Sequence, residues 1–230
     1  MAEFVFAPPA TVAVPVADGR LFPVRRVFCV GRNYAAHARE MGNDPTREPP
    51  FFFSKPADAL VTDGKDTPYP SQTENLHHEI ELVVAIGSAG HDISAANALS
   101  HVFGYAVGLD LTRRDLQDEA KAMRRPWDMS KGFDASAPVS AIVLASQVGH
   151  PSSGAITLKV NNKDRQSGDL SDQIWAVPDI IAALSRFVGL EPGDLIFTGT
   201  PEGVGAVFVG DELEGEIDGI GKLHTRIIRQ

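Results

Sequence analysis

The stretch LHHEIELVVAIG, residues 76–87, determines how the middle of this chain folds. From Leu82 to Ile86 it is an unbroken apolar run rich in β-branched residues, which is typical of a buried strand. Two carboxylates, Glu79 and Glu81, stand at the beginning of this strand. Side chains two residues apart on a strand point to the same face, about 6.5–7 Å from one another. The stretch therefore predicts a core strand whose first residues could converge on a cation.

The chemistry of these acids favours a hard metal ion. Carboxylate oxygens suit Mg²⁺, Mn²⁺ or Ca²⁺ rather than zinc, and the zinc motif H-E-x-x-H fails because Leu82 stands where its second histidine is required. A third oxygen ligand is available in Asp110, which ends the apolar run YAVGL. Other interpretations remain open, namely a solvated strand face for Glu79 and Glu81 and a helix N-cap for Asp110. The pattern predicts a three-carboxylate metal site.

Composition limits the class of protein. The 230 residues are 43% hydrophobic and 22% charged, which is enough for a full core in one large domain or two small ones. The net charge of −9 argues against a nucleic-acid surface, which needs a basic face. The single cysteine, Cys29, excludes an internal disulfide, fits a reducing compartment and is interpreted as a buried apolar residue. With no run near the roughly 18 apolar residues of a membrane span and no signal peptide, we expect a cytoplasmic protein.

Strand-like segments outnumber helical ones, and no regular βαβ alternation is present. This pattern predicts an α+β, mainly β fold rather than a doubly wound one. Hairpins are predicted at Asp18-Gly19 and at 161–164. The predicted helices are 33–42, 112–123 with Thr112 as its N-cap, and 177–190. Residues 1–20 are predicted to form an N-terminal hairpin or extension, and residues 21–230 the catalytic domain.

Further residues carry groups suited to catalysis. His37 and Glu40 are three residues apart on the predicted helix 33–42, hence neighbours on one face. A carboxylate beside an imidazole raises its basicity, as a general base for water requires. A plain surface contact is the alternative. Lys131, in WDMSKGFD, could hold a carboxylate or enolate oxygen, unless it is a surface lysine whose stem alone is buried.

The loop TGTPEGVG, residues 198–205, follows the strand-like segment LIF. Its backbone N–H groups and the hydroxyls of its threonines could cradle a carboxylate, with Gly199 and Thr200 as the candidate contacts. It matches neither G-x-x-x-x-G-K-[ST] nor G-x-G-x-x-G, so a nucleotide-binding loop is rejected. An ordinary turn is the alternative.

Seven stretches together resemble the fumarylacetoacetate hydrolase family. They are VGRNYAAHARE (30–40), FFFSKP (51–56), LHHEIEL (76–82), GYAVGLDLTRRDLQ (104–117), RPWDMSKGFDASAPVS (125–140), LKVNN (158–162) and LIFTGTPEGVG (195–205). They stand in the family's order and cover roughly residues 24–228. The chain is most similar to the short members that act on acylpyruvates. The first 20 or so residues carry no family motif.

The resemblance implies a role for each matching residue. It implies Glu79, Glu81 and Asp110 as ligands of Mg²⁺ or Mn²⁺, with Ca²⁺ as an alternative, and His37 with Glu40 as the pair that deprotonates water. It also implies Lys131 beside the substrate, Arg114 and Gln117 as substrate-side polar groups, Thr200 on the pyruvyl carboxylate, and Arg32 near the site. The family's mixed β roll with flanking helices and its homodimer are expected as well.

These roles imply a hydrolase that cleaves a carbon–carbon bond. The substrate would be an acylpyruvate such as fumarylpyruvate or maleylpyruvate, from aromatic catabolism. Water activated by His37 attacks the distal carbonyl, a metal-bound enolate leaves, and pyruvate and a carboxylic acid are the products. We also expect the helix 33–42 and the segment after it to form a lid. Arg124 or Arg125 is a candidate for a second substrate carboxylate.

Two other functions remain open. The same metal site in this family is associated with oxaloacetate decarboxylation and with keto-enol or double-bond isomerisation, because one base can serve either chemistry. A non-catalytic binding protein could instead use the three acids to hold a structural Ca²⁺, but this leaves His37, Glu40 and Lys131 without a role.

Overall fold

The computed structural model describes residues 3–35, 49–62 and 64–230. The stretch LHHEIELVVAIG, residues 76–87, forms two strands, β7 (Leu76–His78) and β8 (Ile80–Ile86), which meet at Glu79. All seven residues of β8 are buried. The prediction of a core strand is therefore confirmed.

The larger sheet has six strands and places β8 near its centre. In spatial order the strands are β12 (Val143–Leu144), β9 (Val102–Leu109), β8, β15 (Asp194–Phe197), β3 (Arg26–Gly31) and β4 (Phe51–Lys55). Neighbouring strands are antiparallel except β15 and β3, which are parallel. β8 is thus paired on both sides.

A second sheet has five strands. Their order is β14 (Lys163–Asp169), β13 (Ala155–Val160), β17 (Glu212–Ile217), β18 (Gly221–Ile228) and β6 (Thr67–Pro68). β13 and β14 form the predicted hairpin. Its two-residue turn is Asn161-Asn162, with φ of 52° and 61°, and asparagine tolerates this left-handed region better than most residues.

Short strands complete the β structure. β1 (Ala13–Pro15) and β2 (Leu21–Pro23) form an antiparallel hairpin, β5 (Leu60–Val61) pairs with β11 (Ala137–Pro138), and β7 lies between β10 (Thr112–Arg113) and β16 (Gly205–Ala206). β1 and β2 pair across the proposed domain boundary after residue 20. That boundary stays a prediction.

The described helices are short. They are α1 (Ala95–Ala98), α2 (Arg114–Ala122), α3 (Asp128–Lys131), α4 (Ala145–Val148) and α5 (Val177–Leu184), with 3₁₀ turns at 57–59, 99–101 and 170–172. None of these described helices is long and apolar enough to cross a membrane. Most of the predicted helix 33–42 lies outside the described residues.

Two predicted helix ends are wrong. Thr112 is not an N-cap, because it belongs to β10 and its hydroxyl donates to the carbonyl of Asp110. α5 ends at Leu184 rather than at residue 190. Beyond it the chain tightens, because the N–H of Phe187 donates to the carbonyl of Leu184 three residues back, which is a 3₁₀ turn.

The six-stranded sheet separates two apolar layers. On one face, side chains such as Leu82 pack towards the five-stranded sheet and α5, in the layer that includes Ile181. On the other face, Val83 packs with Phe197 and with Val14 of the β1–β2 hairpin. Alternation along β8 therefore buries both faces, and the fold is α+β, mainly β, as predicted. Cys29 is fully buried, and burial raises the pKa of its thiol well above the ordinary value.

Candidate metal centre and active site

The pairing of β8 with β9 brings the three predicted metal ligands together. Ile80 is opposite Leu109 in the register, so the adjacent residues Glu79 and Asp110 also face one another. The Asp110 N–H donates to the Glu79 carbonyl at 2.8 Å. One carboxylate oxygen from each of Glu79, Glu81 and Asp110 lies within 4.8 Å of the other two, and all three residues are buried. Three acids distant from solvent thus share one small volume.

This donor set fits a divalent cation. Every donor is a hard carboxylate oxygen, which Mg²⁺, Mn²⁺ and Ca²⁺ prefer. Burial, followed by the negative charges of Asp110 and Glu79, raises the pKa of Glu81 well above its usual range. A cation between the carboxylates offsets that like-charge repulsion and favours the ionised forms.

Buried cations surround the acids. The Lys131 ammonium lies 2.7 Å from Glu79 Oε2 and 2.7 Å from Asp110 Oδ2. Burial lowers the pKa of Lys131, but the charges of Asp110 and Glu79 outweigh it and raise the pKa overall, so this lysine stays charged. The Lys55 ammonium lies 2.8 Å from Asp110 Oδ1, and Arg114 forms an ion pair with Glu79.

Lys55 was missed by sequence reasoning. It stands between Ser54 and Pro56 in the segment FFFSKP, and no local pattern there assigns a role to the lysine. A lysine that ends an aromatic-rich strand is itself a signal, because a charge that becomes buried there needs a partner. Lys55 is fully buried as a side chain and also donates to the carbonyls of Leu111 and Lys131.

Arg114 and Gln117 project from the first turn of α2 towards the acids. Arg114 Nη1 donates to Gln117 Oε1 at 2.5 Å, and its Nε donates to His77 Nδ1 at 3.3 Å. Burial, followed by the charge of Arg114, lowers the pKa of His77 to about 4, so its imidazole is neutral and can accept this bond. Arg114 is therefore held between a carboxylate, an amide oxygen and an imidazole nitrogen.

The turn after β15 closes the site on the side of Glu81. The Gly199 N–H donates to Glu81 Oε2 at 2.7 Å. Gly199 has φ of +96°, and a Cβ added there would lie 2.6 Å from the Cβ of Asn33. Both the left-handed backbone conformation and the close approach to Asn33 therefore require glycine. Thr200 is buried and lines the cavity beside the acids. The side chain of Gln166, which sequence reasoning also missed, donates to Thr200 Oγ1 at 2.8 Å.

Aromatic rings and two further cations form the outer part of the cavity. Phe53 and Trp127 line it, with ring centroids 5.8 Å apart. Lys121 and Arg32 line it as well, and their charged groups stand over the rings of Trp127 and Phe51 at 5.7 and 5.4 Å. The predicted position of Arg32 near the site is thus observed. Lys121 has no motif of its own and was missed.

Arg124 and Arg125 lie away from this cavity, and the expectation that one of them reaches a second substrate carboxylate stays a prediction. Both side chains are exposed and neither lines the cavity. α2 ends before them, Arg124 has φ of 54°, and the chain turns outwards. Arg125 instead approaches Glu119 on the surface at 3.5 Å. The predicted dyad of His37 and Glu40 and the predicted lid lie outside the described residues, so both stay predictions.

Comparison with known proteins identifies the family. The model of the fumarylacetoacetate (FAA) hydrolase C-terminal family matches residues 26–228. The chain belongs to this family. A crystal structure of fumarylpyruvate hydrolase from Pseudomonas aeruginosa, in complex with Mn²⁺ and pyruvate, is 56% identical with a TM-score of 0.97, and the match covers 99% of this chain and 100% of that one. The resemblance to an acylpyruvate-hydrolase-like member and the family fold are thereby confirmed.

Other relatives have different activities. The mitochondrial oxaloacetate tautomerase FAHD1 of Rattus norvegicus is 43% identical over 205 residues, which are 89% of this chain and 92% of that protein. The 5-carboxymethyl-2-hydroxymuconate delta-isomerase of Mycobacterium smegmatis is 32% identical with a TM-score of 0.82, covering 96% of this chain and 82% of that one. The family therefore includes hydrolases and isomerases or tautomerases.

The metal site agrees with this relationship. The fumarylpyruvate hydrolase structure contains Mn²⁺, and this chain has a buried Glu-Glu-Asp group positioned to bind a divalent metal. A divalent ion is therefore the cofactor of this member of the family, as the three carboxylates predict.

Proposed function

We propose that this protein hydrolyses the carbon–carbon bond of a dicarboxylic acylpyruvate, such as fumarylpyruvate or maleylpyruvate, to pyruvate and a second carboxylic acid. The observation that carries the proposal is the group of three acids, of which Glu79 and Asp110 are bridged by Lys131, at the base of a cavity with Lys121 and Arg32 further out. The 56% identity with a fumarylpyruvate hydrolase supports the same substrate class.

The charges of the site support a doubly negative ligand. The carboxylates of Glu79, Glu81 and Asp110 are balanced by the three buried cations, which are Lys55, Lys131 and Arg114. A divalent ion added to this neutral group would leave two positive charges, and Lys121 and Arg32 add further positive charge in the outer part of the cavity, so the site suits a ligand with two carboxylates. Uncompensated charge is costly in a buried site, so this balance favours a dicarboxylate over a neutral ketone.

The pyruvyl end is held by groups from three elements. The turn residues Gly199 and Thr200 face the carboxylate of the keto acid, and Arg114 with Gln117 contacts its polar oxygens from α2. A divalent cation on Glu79, Glu81 and Asp110 supplies Lewis-acid stabilisation of the charge that develops on substrate oxygens. The reacting end is thereby fixed before any bond changes.

The bond changes use water and a base. His37, oriented by Glu40, takes a proton from water while the water oxygen bonds to the distal carbonyl carbon. The bond between that carbon and the CH₂ group then breaks, and its electron pair remains on the pyruvyl fragment as an enolate. Lys131 donates a hydrogen bond to the oxygen that gains this charge. His37 then returns its proton to the CH₂ carbon, which gives pyruvate and restores the neutral base.

A second reaction shares most of these groups. The 43% identity with an oxaloacetate tautomerase favours keto-enol isomerisation of oxaloacetate as the alternative. Tautomerisation needs proton transfer on the same type of keto acid but no attack by water, so Lys131 and the metal site serve either reaction. Decarboxylation of oxaloacetate likewise passes through an enolate.

A substrate panel separates these functions. Purified protein is assayed with fumarylpyruvate, maleylpyruvate, acetylpyruvate and oxaloacetate, with Mn²⁺, Mg²⁺ or EDTA, while pyruvate release and enol absorbance are both recorded. We expect pyruvate from the two dicarboxylic acylpyruvates, with a higher kcat/KM than for acetylpyruvate, and loss of turnover in EDTA. Tautomerisation of oxaloacetate without cleavage of any acylpyruvate would overturn the proposal in favour of the alternative.

A further inference from the structure

Gln166 is a buried amide that joins the metal-ligand strand to the turn after β15. Its Oε1 accepts from the Ile80 N–H at 3.0 Å and lies 2.9 Å from His78 Nδ1. Its Nε2 donates to Thr200 Oγ1 at 2.8 Å and to the Pro201 carbonyl at 2.9 Å. The side chain is essentially inaccessible, with the residue 1% exposed. All four contacts are therefore made away from water.

The orientation of this amide is determined by its neighbours. The backbone N–H of Ile80 can only donate, and the carbonyl of Pro201 can only accept. The amide oxygen must consequently face Ile80, and the NH₂ group must face Pro201. It follows that His78 carries its hydrogen on Nδ1, and that the Thr200 oxygen accepts from Gln166.

This arrangement controls the direction of the threonine hydroxyl. An amide NH₂ group cannot accept a hydrogen bond, so the hydroxyl hydrogen of Thr200 cannot turn towards Gln166. Thr200 lines the cavity next to Gly199, whose N–H is already bonded to Glu81. The hydroxyl of Thr200 is thus available as a donor to a ligand in that cavity.

We propose that Gln166 is a positioning residue that makes Thr200 a hydrogen-bond donor to the carboxylate of the keto acid. This inference rests on the proposed function, in which Thr200 contacts that carboxylate. Gln166 also bonds the N–H of Ile80, the residue between the ligands Glu79 and Glu81. One side chain therefore fixes the position of the segment that carries Glu79 and Glu81 relative to the turn that contains Thr200.

The direct test is Gln166→Glu, which keeps the shape but replaces the NH₂ group with an oxygen. That oxygen accepts the Thr200 hydroxyl and draws its hydrogen away from the cavity. The measurement is the affinity of the Mn²⁺-loaded protein for pyruvate by titration calorimetry, with Mn²⁺ affinity measured separately. We expect pyruvate to bind about tenfold more weakly, as the loss of a hydrogen bond to a charged group predicts, while Mn²⁺ binds within a few fold of wild type.

A double-mutant cycle shows whether Gln166 acts through Thr200. Thr200→Val removes the hydroxyl, so Gln166→Glu should have no further effect on pyruvate affinity in that background. Independent, additive losses would mean that Gln166 acts by another route, and would overturn the proposal. Thr200→Ser, which keeps a hydroxyl, should bind pyruvate nearly as wild type does.

Gln166→Met separates positioning from general support of the fold. Methionine has a similar length but makes none of the four hydrogen bonds, so a merely structural role predicts that it harms pyruvate binding more than glutamate does. The proposed role predicts the reverse, because methionine does not capture the Thr200 hydroxyl. If the glutamate variant does not fold, the methionine variant is taken through the same cycle with Thr200→Val: a smaller loss of pyruvate affinity that disappears in the Thr200→Val background supports the proposal, and a loss that persists there overturns it.

The outcomes distinguish this inference from the proposed function. If wild type binds pyruvate and Gln166→Glu binds it equally well, only the positioning role is overturned. If Mn²⁺-loaded wild type does not bind pyruvate, the assignment of Thr200 and the role of Gln166 both fail. Because no turnover is measured, a tautomerase activity in place of hydrolysis leaves the test valid.

Discussion

Lys55 places a positive charge directly behind the metal ligands. Its side chain is fully buried, and its ammonium contacts Asp110 and two backbone carbonyls. In such a place the partners cannot exchange the ammonium for water, so its removal leaves a buried carboxylate partly unpaired. Removal of a single charge from this site is consequently expected to lower the free energy of unfolding of the whole chain.

We expect Lys55→Met to lower the free energy of unfolding by about 3–5 kcal/mol, as breaking a buried ion pair does. Urea denaturation gives this value. The matched control is Lys159→Met, which breaks a surface pair with Asp164 whose side chains are 49% and 82% exposed; such pairs contribute about 1 kcal/mol or less. Equal stability of the two variants would contradict the assigned role of Lys55.

We expect Lys121 to bind the second carboxylate of the substrate. It lines the cavity, its side chain is 27% exposed, and it stands 3.4 Å from Asp118. Burial, followed by the charge of Arg114, lowers the pKa of Lys121, so a nearby anionic ligand would relieve an unfavourable environment. The carboxylate of a dicarboxylic acylpyruvate is such a ligand.

Lys121→Met, which keeps the length of the side chain, should raise KM for fumarylpyruvate about tenfold, the value of a charge-assisted hydrogen bond. KM for acetylpyruvate, which has no second carboxylate, should stay within about twofold. Arg125→Met is the control because Arg125 is exposed outside the cavity. An equal rise in KM for both substrates would assign Lys121 a general role instead.

At the scale of elements, the register between β8 and β9 positions the metal centre. Asp110 faces Glu79, and Gly108 is opposite Glu81. A Cβ at Gly108 would lie 2.5 Å from Val83 Cγ2 and 2.6 Å from Phe197 Cε1. The absence of a side chain there allows the strands to pack tightly beside the ligands.

Gly108→Ala should destabilise the protein by about 1–3 kcal/mol, the usual cost of overpacking a core. The urea midpoint should fall at unchanged slope. Gly189→Ala is the matched control, because Gly189 has ordinary φ and no atom within 4 Å of an added Cβ; we expect it to be neutral or slightly stabilising. If Gly108→Ala leaves the stability of the protein unchanged, β9 can shift to accommodate the added methyl group.

At the scale of the whole molecule, metal binding is coupled to folding. The ligands lie in or directly beside the neighbouring strands β8 and β9, so an ion bound to all three stabilises only the folded chain. Mn²⁺ at about 100 times its Kd adds about 2.7 kcal/mol, which raises Tm by roughly 5–10 °C for a chain of this size. EDTA should reverse the shift in differential scanning fluorimetry.

Asp110→Asn tests whether this carboxylate helps to hold the ion, and exchange of the ion tests which function the ion serves. The variant should lose most of the Mn²⁺-dependent rise in Tm, because one charged ligand is gone. If the ion were purely structural, exchange of Mn²⁺ for Ca²⁺ would change Tm without gating turnover. We expect instead that turnover depends on which ion is bound.

The homodimer expected from the resemblance stays a prediction. Phe187 is 75% exposed, and its ring lies 6.2 Å from that of Phe52, so this face offers apolar surface to a second copy. Light scattering after size exclusion should give twice the chain mass of 24.7 kDa. A particle of single-chain mass across micromolar concentrations would refute the dimer.

Alternation along the strands made much of the site predictable. The i, i+2 spacing of Glu79 and Glu81 put two acids on one face, and Asp110 ended the next strong strand. The two strands pair directly, so these local signals were sufficient. Helix ends were less predictable: Thr112 looked like a cap, but its place in β10 was decided by pairing with His77 of β7.

By itself, the sequence determined the strand-rich fold class, the group of three acids positioned to bind a divalent metal, and the family. These depend on local periodicity and on motifs read in order. Only the tertiary structure decided that Lys55 supports Asp110, that Gln166 binds both Ile80 and Thr200, and that Lys121 rather than Arg124 lines the cavity. The physical reason is that periodicity specifies which face of an element is buried, whereas contacts between residues distant in the chain depend on how the elements pack.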